Sequence, residues 1–127
     1  MNYLLDTHAL IWYFENSPNI PEKTAKLIDN FTNNKYVCSA SLWEIAIKTS
    51  IGKLDISLSF EKLLDEIRSS ELIILQIEDS YLKLILNLPF IHKDPFDRII
   101  ISTALAEDLT IITVDENIHK YDVKWVW

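Results

Sequence analysis

Apolar residues gather along this chain in short clusters, and the clusters are of two kinds. Tyr3-Leu4-Leu5, Tyr36-Val37-Cys38, Leu72 to Leu75 and Ile111 to Val114 are brief, almost wholly apolar runs bounded by polar residues. Runs of that length without strict alternation predict strands buried on both faces. The pattern places strands over 2–5, 36–38, 72–75 and 110–114, with a terminal strand over 123–127.

Elsewhere the apolar positions recur with a helical period. Helices are predicted over 7–14, 22–31, 39–51, 60–67, about 79–87 and 97–107. In the second of these, Ala25, Leu27, Ile28 and Phe31 carry the apolar face. Ser17-Pro-Asn-Ile-Pro21 and Pro89 to Pro95 interrupt the pattern, Asn33-Asn34 reads as a turn, and Gly52 stops the third helix. Short buried strands alternating with helices predict an α/β fold: a three-layer α/β/α arrangement around a mainly parallel, roughly five-stranded sheet.

Composition adds bounds to this picture. With 127 residues, 49% of them hydrophobic and no linker or repeat, residues 1–127 are expected to form one domain. A chain of that size buries about two-thirds of its unfolded surface. The single cysteine, Cys38, cannot form an internal disulfide and reads as a small buried thiol. Met1-Asn2 leads directly into a strand, with no basic segment or long apolar stretch, so a cytoplasmic protein is expected. No apolar run approaches the ~20 residues of a membrane helix, and no membrane partner is expected. Gly52 is the only glycine, which excludes glycine-rich phosphate loops and dinucleotide fingerprints. The formal charge of −7 opposes nucleic-acid binding. That opposition weakens if several carboxylates are neutralised by a cation, or if a basic partner masks them.

Four carboxylates stand where apolar segments stop: Asp6, Glu44, Asp97 and Asp115. Strand ends and helix starts are where an α/β sheet collects side chains into one crevice. Acids gathered there without an internal cation repel each other and pay for desolvation. A divalent ion with oxygen ligands removes that cost and acts as a Lewis acid on phosphate. Each acid also has an ordinary structural account. Asp6, Asp94 and Asp115 suit helix N-caps, and Asp97 suits a first helical turn. Glu44 fits a capping box with Ser41, or a surface i,i+4 pair with Lys48. Arg98 is open to pairing with an acid, to phosphate, or to a surface role. His8 and His92 read as surface or supporting residues. Trp12, Tyr13, Phe14 and Trp43 read as core or subunit interface. The recurrence of acids at the boundaries of several elements is what favours a metal site.

Leu5-Asp-Thr-His-Ala9, Ser41-Leu-Trp-Glu-Ile45, His92-Lys-Asp-Pro-Phe-Asp-Arg98 with Thr103-Ala104, and Ile112-Thr-Val-Asp115 occur in that order. Together they resemble PIN-domain proteins, and in particular the VapC-like toxins of type II toxin–antitoxin pairs. The resemblance implies Mg²⁺- or Mn²⁺-dependent cleavage of RNA, a homodimer, and a small antitoxin whose tail lies across the crevice. It maps the family's acidic quartet onto Asp6, Glu44, Asp97 and Asp115, as metal ligands and catalytic groups, with Asp94 as an extra acid. Val114 departs from the polar or basic residue common there. Thr7 and Thr113 are expected to steady water or phosphate beside the metal, and Arg98 to support the site.

Two rivals remain from other classes. A phosphoacceptor signalling domain is also α/β with acids at strand ends, but Asp6 lacks the adjacent acid that reading needs, and position 8 is His where an Asp-x-Asp phosphatase needs a second acid. A non-catalytic interaction module would keep the fold without the chemistry.

Overall fold

In the computed structural model, which describes residues 1–127, strand β1 (Asn2–Leu5) runs into helix α1 (Thr7–Phe14) with a single residue between them. Helix α2 (Glu22–Asp29), strand β2 (Asn34–Cys38) and helices α3 (Ser39–Ser50) and α4 (Phe60–Ser69) follow. Strand β3 (Ile73–Leu75), helices α5 (Asp79–Ile85) and α6 (Pro95–Glu107), strand β4 (Thr110–Ile112), helix α7 (Glu116–His119) and strand β5 (Trp125–Val126) complete the chain. All neighbouring strands pair in parallel, in the order β3-β2-β1-β4-β5.

The apolar runs form the two-faced strands their composition predicts. Leu4, Cys38 and Ile111 pack on one face with Tyr81 of α5, Ile100 and Ile101 of α6 and Ile118 of α7. Leu5, Val37 and Ile112 pack on the other with Leu10 of α1, Ile28 of α2, Ile45 of α3 and Leu63 and Ile67 of α4. Successive strand residues thus feed opposite layers, which is the period of two acting in a buried sheet. Cys38 is fully buried, and burial pushes its thiol pKa up, in keeping with an inert core residue.

Boundaries moved where local chemistry outweighs periodicity. Helix α2 stops at Asp29, because Asn30 turns the chain and its side chain accepts from Thr32, leaving Phe31 81% exposed. Helix α6 begins at Pro95 and not at Asp97, because Asp94 caps it and Pro95 occupies its first turn. β4 ends at Ile112, two residues before Val114, although Thr113 N–H still donates to Val126 O at 3.0 Å. The four-residue α7, capped by Asp115, is too short for its period to be seen in sequence. Gly52 has φ +72 with nothing near its missing Cβ, so backbone conformation alone calls for glycine there. No helix is long and apolar enough to cross a membrane.

Candidate active site

β1 and β4 are neighbours at the centre of the sheet, and the chain winds outward from them in opposite directions. In open parallel sheets the crevice beyond the C-terminal ends of such strands collects functional groups. Asp6 is the first residue beyond β1 and is 4% exposed. Its Oδ1 accepts the Ala9 N–H at 2.7 Å, capping α1, and its Oδ2 accepts the Thr113 hydroxyl. Thr113 Oγ1 in turn accepts the Asp115 N–H at 3.0 Å. One threonine therefore joins the ends of β1 and β4. Asp115 is half-buried, and its Oδ1 caps α7 through Asn117 N–H at 2.8 Å.

The third element is α3, which projects Glu44 toward α1. Glu44 is buried, and it does not form the capping box with Ser41 that its spacing allows. Its Oε1 accepts the Thr7 hydroxyl at 2.6 Å, and that hydroxyl lies 3.1 Å from Ser41 Oγ. Its Oε2 accepts the Lys48 ammonium. The pair is not the surface bridge expected from i,i+4 spacing, since the Glu44 side chain is 4% exposed and that of Lys48 is 32% exposed. An internal cation is thus present among the acids, against expectation.

Helix α6 supplies the fourth wall. Asp94 Oδ1 accepts the N–H groups of Phe96 at 2.9 Å and Asp97 at 3.3 Å. Asp97 Oδ2 lies 3.0 Å from His92 Nε2, and His92 Nδ1 lies 2.9 Å from the Tyr121 hydroxyl. The network assigns the proton on Nε2 to Asp97, with Tyr121 donating to Nδ1. Tyr121 is a supporting residue that sequence reasoning missed, because its partners lie 23 and 29 positions away. His92 is thus a supporting residue as expected, while His8 is exposed.

Arg98 does something other than what its position suggested. It is buried and touches neither acid nor open crevice. Its guanidinium donates to Pro89 O at 2.8 Å, Leu88 O at 3.2 Å and Tyr121 Oη at 3.1 Å, and it lies 4.1 Å from the Phe90 ring centroid. It braces the segment before α6. Thr7 and Thr113 likewise bond to carboxylates directly. Trp12, Tyr13 and Phe14 pack against the core, whereas Trp43 is 60% exposed with its ring on Phe96.

Burial and neighbouring charge act on the acids together. Burial raises Asp6 to about 6, with repulsion from Asp115 and Glu44 adding to it and the Thr113 and Ala9 bonds opposing it. Burial also raises Asp97 to about 6, opposed by His92 and reinforced by repulsion from Asp94, Asp115 and Glu44. Asp6, Glu44, Asp94, Asp97 and Asp115 therefore share one field. As they stand, each is tied into its own hydrogen bonds, and no three are gathered closely enough to grip an ion. The donor set itself is all carboxylate oxygen, which suits a hard cation such as Mg²⁺ or Mn²⁺.

Comparison with known proteins agrees with this architecture. The fold is similar to that of VapBC2 from Rickettsia felis bound to a DNA fragment from their promoter, with TM-score 0.74, 20% identity, and 99% of this chain and 98% of that chain covered. VapBC-1 from nontypeable Haemophilus influenzae gives TM-score 0.68 and 19% identity over 99% of this chain and 97% of that one. FitAcB from Neisseria gonorrhoeae gives 0.66 and 19% over 98% and 96%. No curated protein sequence matches the chain. The sequence model of the PIN domain matches residues 3–124, from β1 to the edge of β5. With that span and this topology, the chain belongs to the PIN-domain family.

Proposed function

We propose that this protein is a divalent-metal-dependent endoribonuclease, the toxin of a toxin–antitoxin pair. The observation that carries the reading is the placement of buried carboxylates, Asp6 and Asp97 above all, with Glu44, Asp94 and Asp115 near enough to repel them, at the point where the strand order reverses. Burial raises Asp6 and Asp97 to about 6 and repulsion from neighbouring carboxylates adds to it, a cost that a cation relieves. Asp6, Glu44, Asp97 and Asp115 are the residues proposed to hold Mg²⁺ or Mn²⁺, with Asp94 beside them. A bound ion of that kind supplies Lewis acidity toward a phosphodiester and makes water a better nucleophile near neutral pH.

The chain's own residues do the rest. Thr113 fixes the Asp6 carboxylate and the Asp115 backbone in one orientation. His92, set by Tyr121, orients Asp97. Glu44, once released from Thr7 and Lys48, is the group proposed to orient or deprotonate an attacking water. Family membership supports nuclease chemistry, and the likeness to VapBC and FitAcB structures supports an antitoxin partner; a homodimer and a cytoplasmic setting are part of the same proposal.

The test is cleavage of labelled RNA by the purified chain with Mg²⁺ or Mn²⁺. Asp6→Asn and Asp97→Asn are expected to abolish cleavage while the fold survives, and full activity in either refutes the assignment. A second reading, a non-catalytic interaction module, rests on one observation: the carboxylates are tied into separate hydrogen bonds and are not assembled around a common point. Titrating Mn²⁺ against thermal stability separates the two, since a dead scaffold gains nothing from the ion.

A further inference from the structure

Lys48 holds an unusual place among the cations of this protein. Of the Lys and Arg residues it alone forms an ion pair with a crevice acid; the other lysine pairs are Lys26–Glu22, Lys35–Glu71 and Lys124–Asp108. Arg98, adjacent to Asp97, spends its donors on Pro89, Leu88 and Tyr121, and Lys93, adjacent to Asp94, is exposed and forms no ion pair. Lys48 sits one turn beyond Glu44 on α3, and its ammonium takes the Oε2 atom of a carboxylate that is 4% exposed. The same ammonium is attracted by Asp94 and Asp97 across the crevice. The lysine stem is long, and about a third of the side chain reaches solvent, so the head group has room to leave.

We infer that Lys48 is a tethered counter-ion, which offsets the acid cluster while it is metal-free and must be displaced from Glu44 when a divalent ion enters. This rests on the reading of the crevice as a metal site. A buried Glu44 left without any cation would carry a heavy desolvation cost, and the tether removes part of it. One ammonium balances one charge, whereas the cluster holds five carboxylates, so a divalent ion still has electrostatic reason to displace it. The cost of that displacement is paid in metal affinity. Glu44 therefore exchanges partners between the two states, and Lys48 sets the metal concentration at which the exchange occurs.

The experiment measures Mn²⁺ binding to the purified chain by isothermal titration calorimetry without RNA, alongside melting in chelator and in saturating Mn²⁺. Lys48→Met, which keeps the stem and loses the charge, is expected to bind Mn²⁺ at least about tenfold more tightly. It is also expected to melt lower than the parent in chelator and to recover that loss in saturating Mn²⁺. Lys48→Arg keeps the charge and is expected to bind Mn²⁺ as the parent does, which guards against misreading a folding defect of the first variant. Unchanged or weaker binding in Lys48→Met, or tighter binding in Lys48→Arg as well, overturns the inference and leaves the metal site standing. No Mn²⁺ binding by parent or variants overturns the inference and the nuclease reading together.

Discussion

Thr113 shows how a single side chain can organise a crevice. Its hydroxyl donates to Asp6 while accepting from the Asp115 backbone, so it ties the exits of β1 and β4 at a point with 0% exposure. Thr113→Val keeps the shape and removes both bonds, leaving Asp6 short of a donor and the Asp115 N–H unpaired. Orphaning buried groups of this kind costs about 1–3 kcal/mol, so the urea midpoint should fall accordingly. Asp6→Asn acts in the opposite direction. Asn retains the oxygen that caps α1 and replaces the acceptor of the Thr113 hydroxyl by an amide donor, but it removes a buried charge repelled by Asp115 and Glu44, which is the larger effect. The metal-free variant should therefore melt above the parent at pH 7, and gain little or nothing from Mn²⁺.

Helix α6 carries Asp97 and the buried Ile99, Ile100 and Ile101, so core and crevice depend on its placement. Two devices fix its start: the Asp94 cap with Pro95, and Arg98 holding the carbonyls of Leu88 and Pro89. Asp94→Ala removes the acceptor for two backbone N–H groups, and about 1 kcal/mol of stability should be lost in denaturant titration. Ile100→Ala opens a hole against β1 and β4, and should cost about 2–5 kcal/mol. Most boundary shifts between expectation and structure occurred at element ends of this sort. Asp94 and Pro95 were readable as cap and first turn, yet the apolar period begins only further on, which drew the predicted start to Asp97. Arg98 was ambiguous for a different reason. Two of its three acceptors are main-chain carbonyls, which leave no mark in a sequence, and the third, the Tyr121 hydroxyl, lies 23 positions away.

For the whole molecule, the acid cluster makes stability depend on protons and metal. Asp6 and Asp97 titrate near 6 in the folded chain against an ordinary 3.8. Between those values the folded state binds more protons than the unfolded state, so their contribution is full below about 3.8 and is lost as pH rises through about 6. In chelator, the parent should lose stability on going from pH 5 to pH 7 by more than Asp6→Asn does, as read by urea midpoints at the two pH values. Saturating Mn²⁺ should reverse much of that loss. At about 100 times its dissociation constant the ion adds about 2.7 kcal/mol, seen as a raised melting temperature.

The apolar runs and helical periods were enough to determine an α/β chain with a mainly parallel five-stranded sheet, because burial on both faces demands continuous apolar strands whatever their order. Local spacing likewise marked Asp6, Asp94 and Asp115 as caps, since a cap bonds within three residues. Tertiary structure decided the rest: that β1 and β4 are neighbours, that Glu44 turns to Thr7 and Lys48 in place of Ser41, and that Tyr121 links Arg98 to His92. Those contacts join residues far apart in the chain or choose between partners equally near. The physical reason is the same in each case, because an i,i+4 pair looks identical in sequence whether its helix face meets water or four other carboxylates.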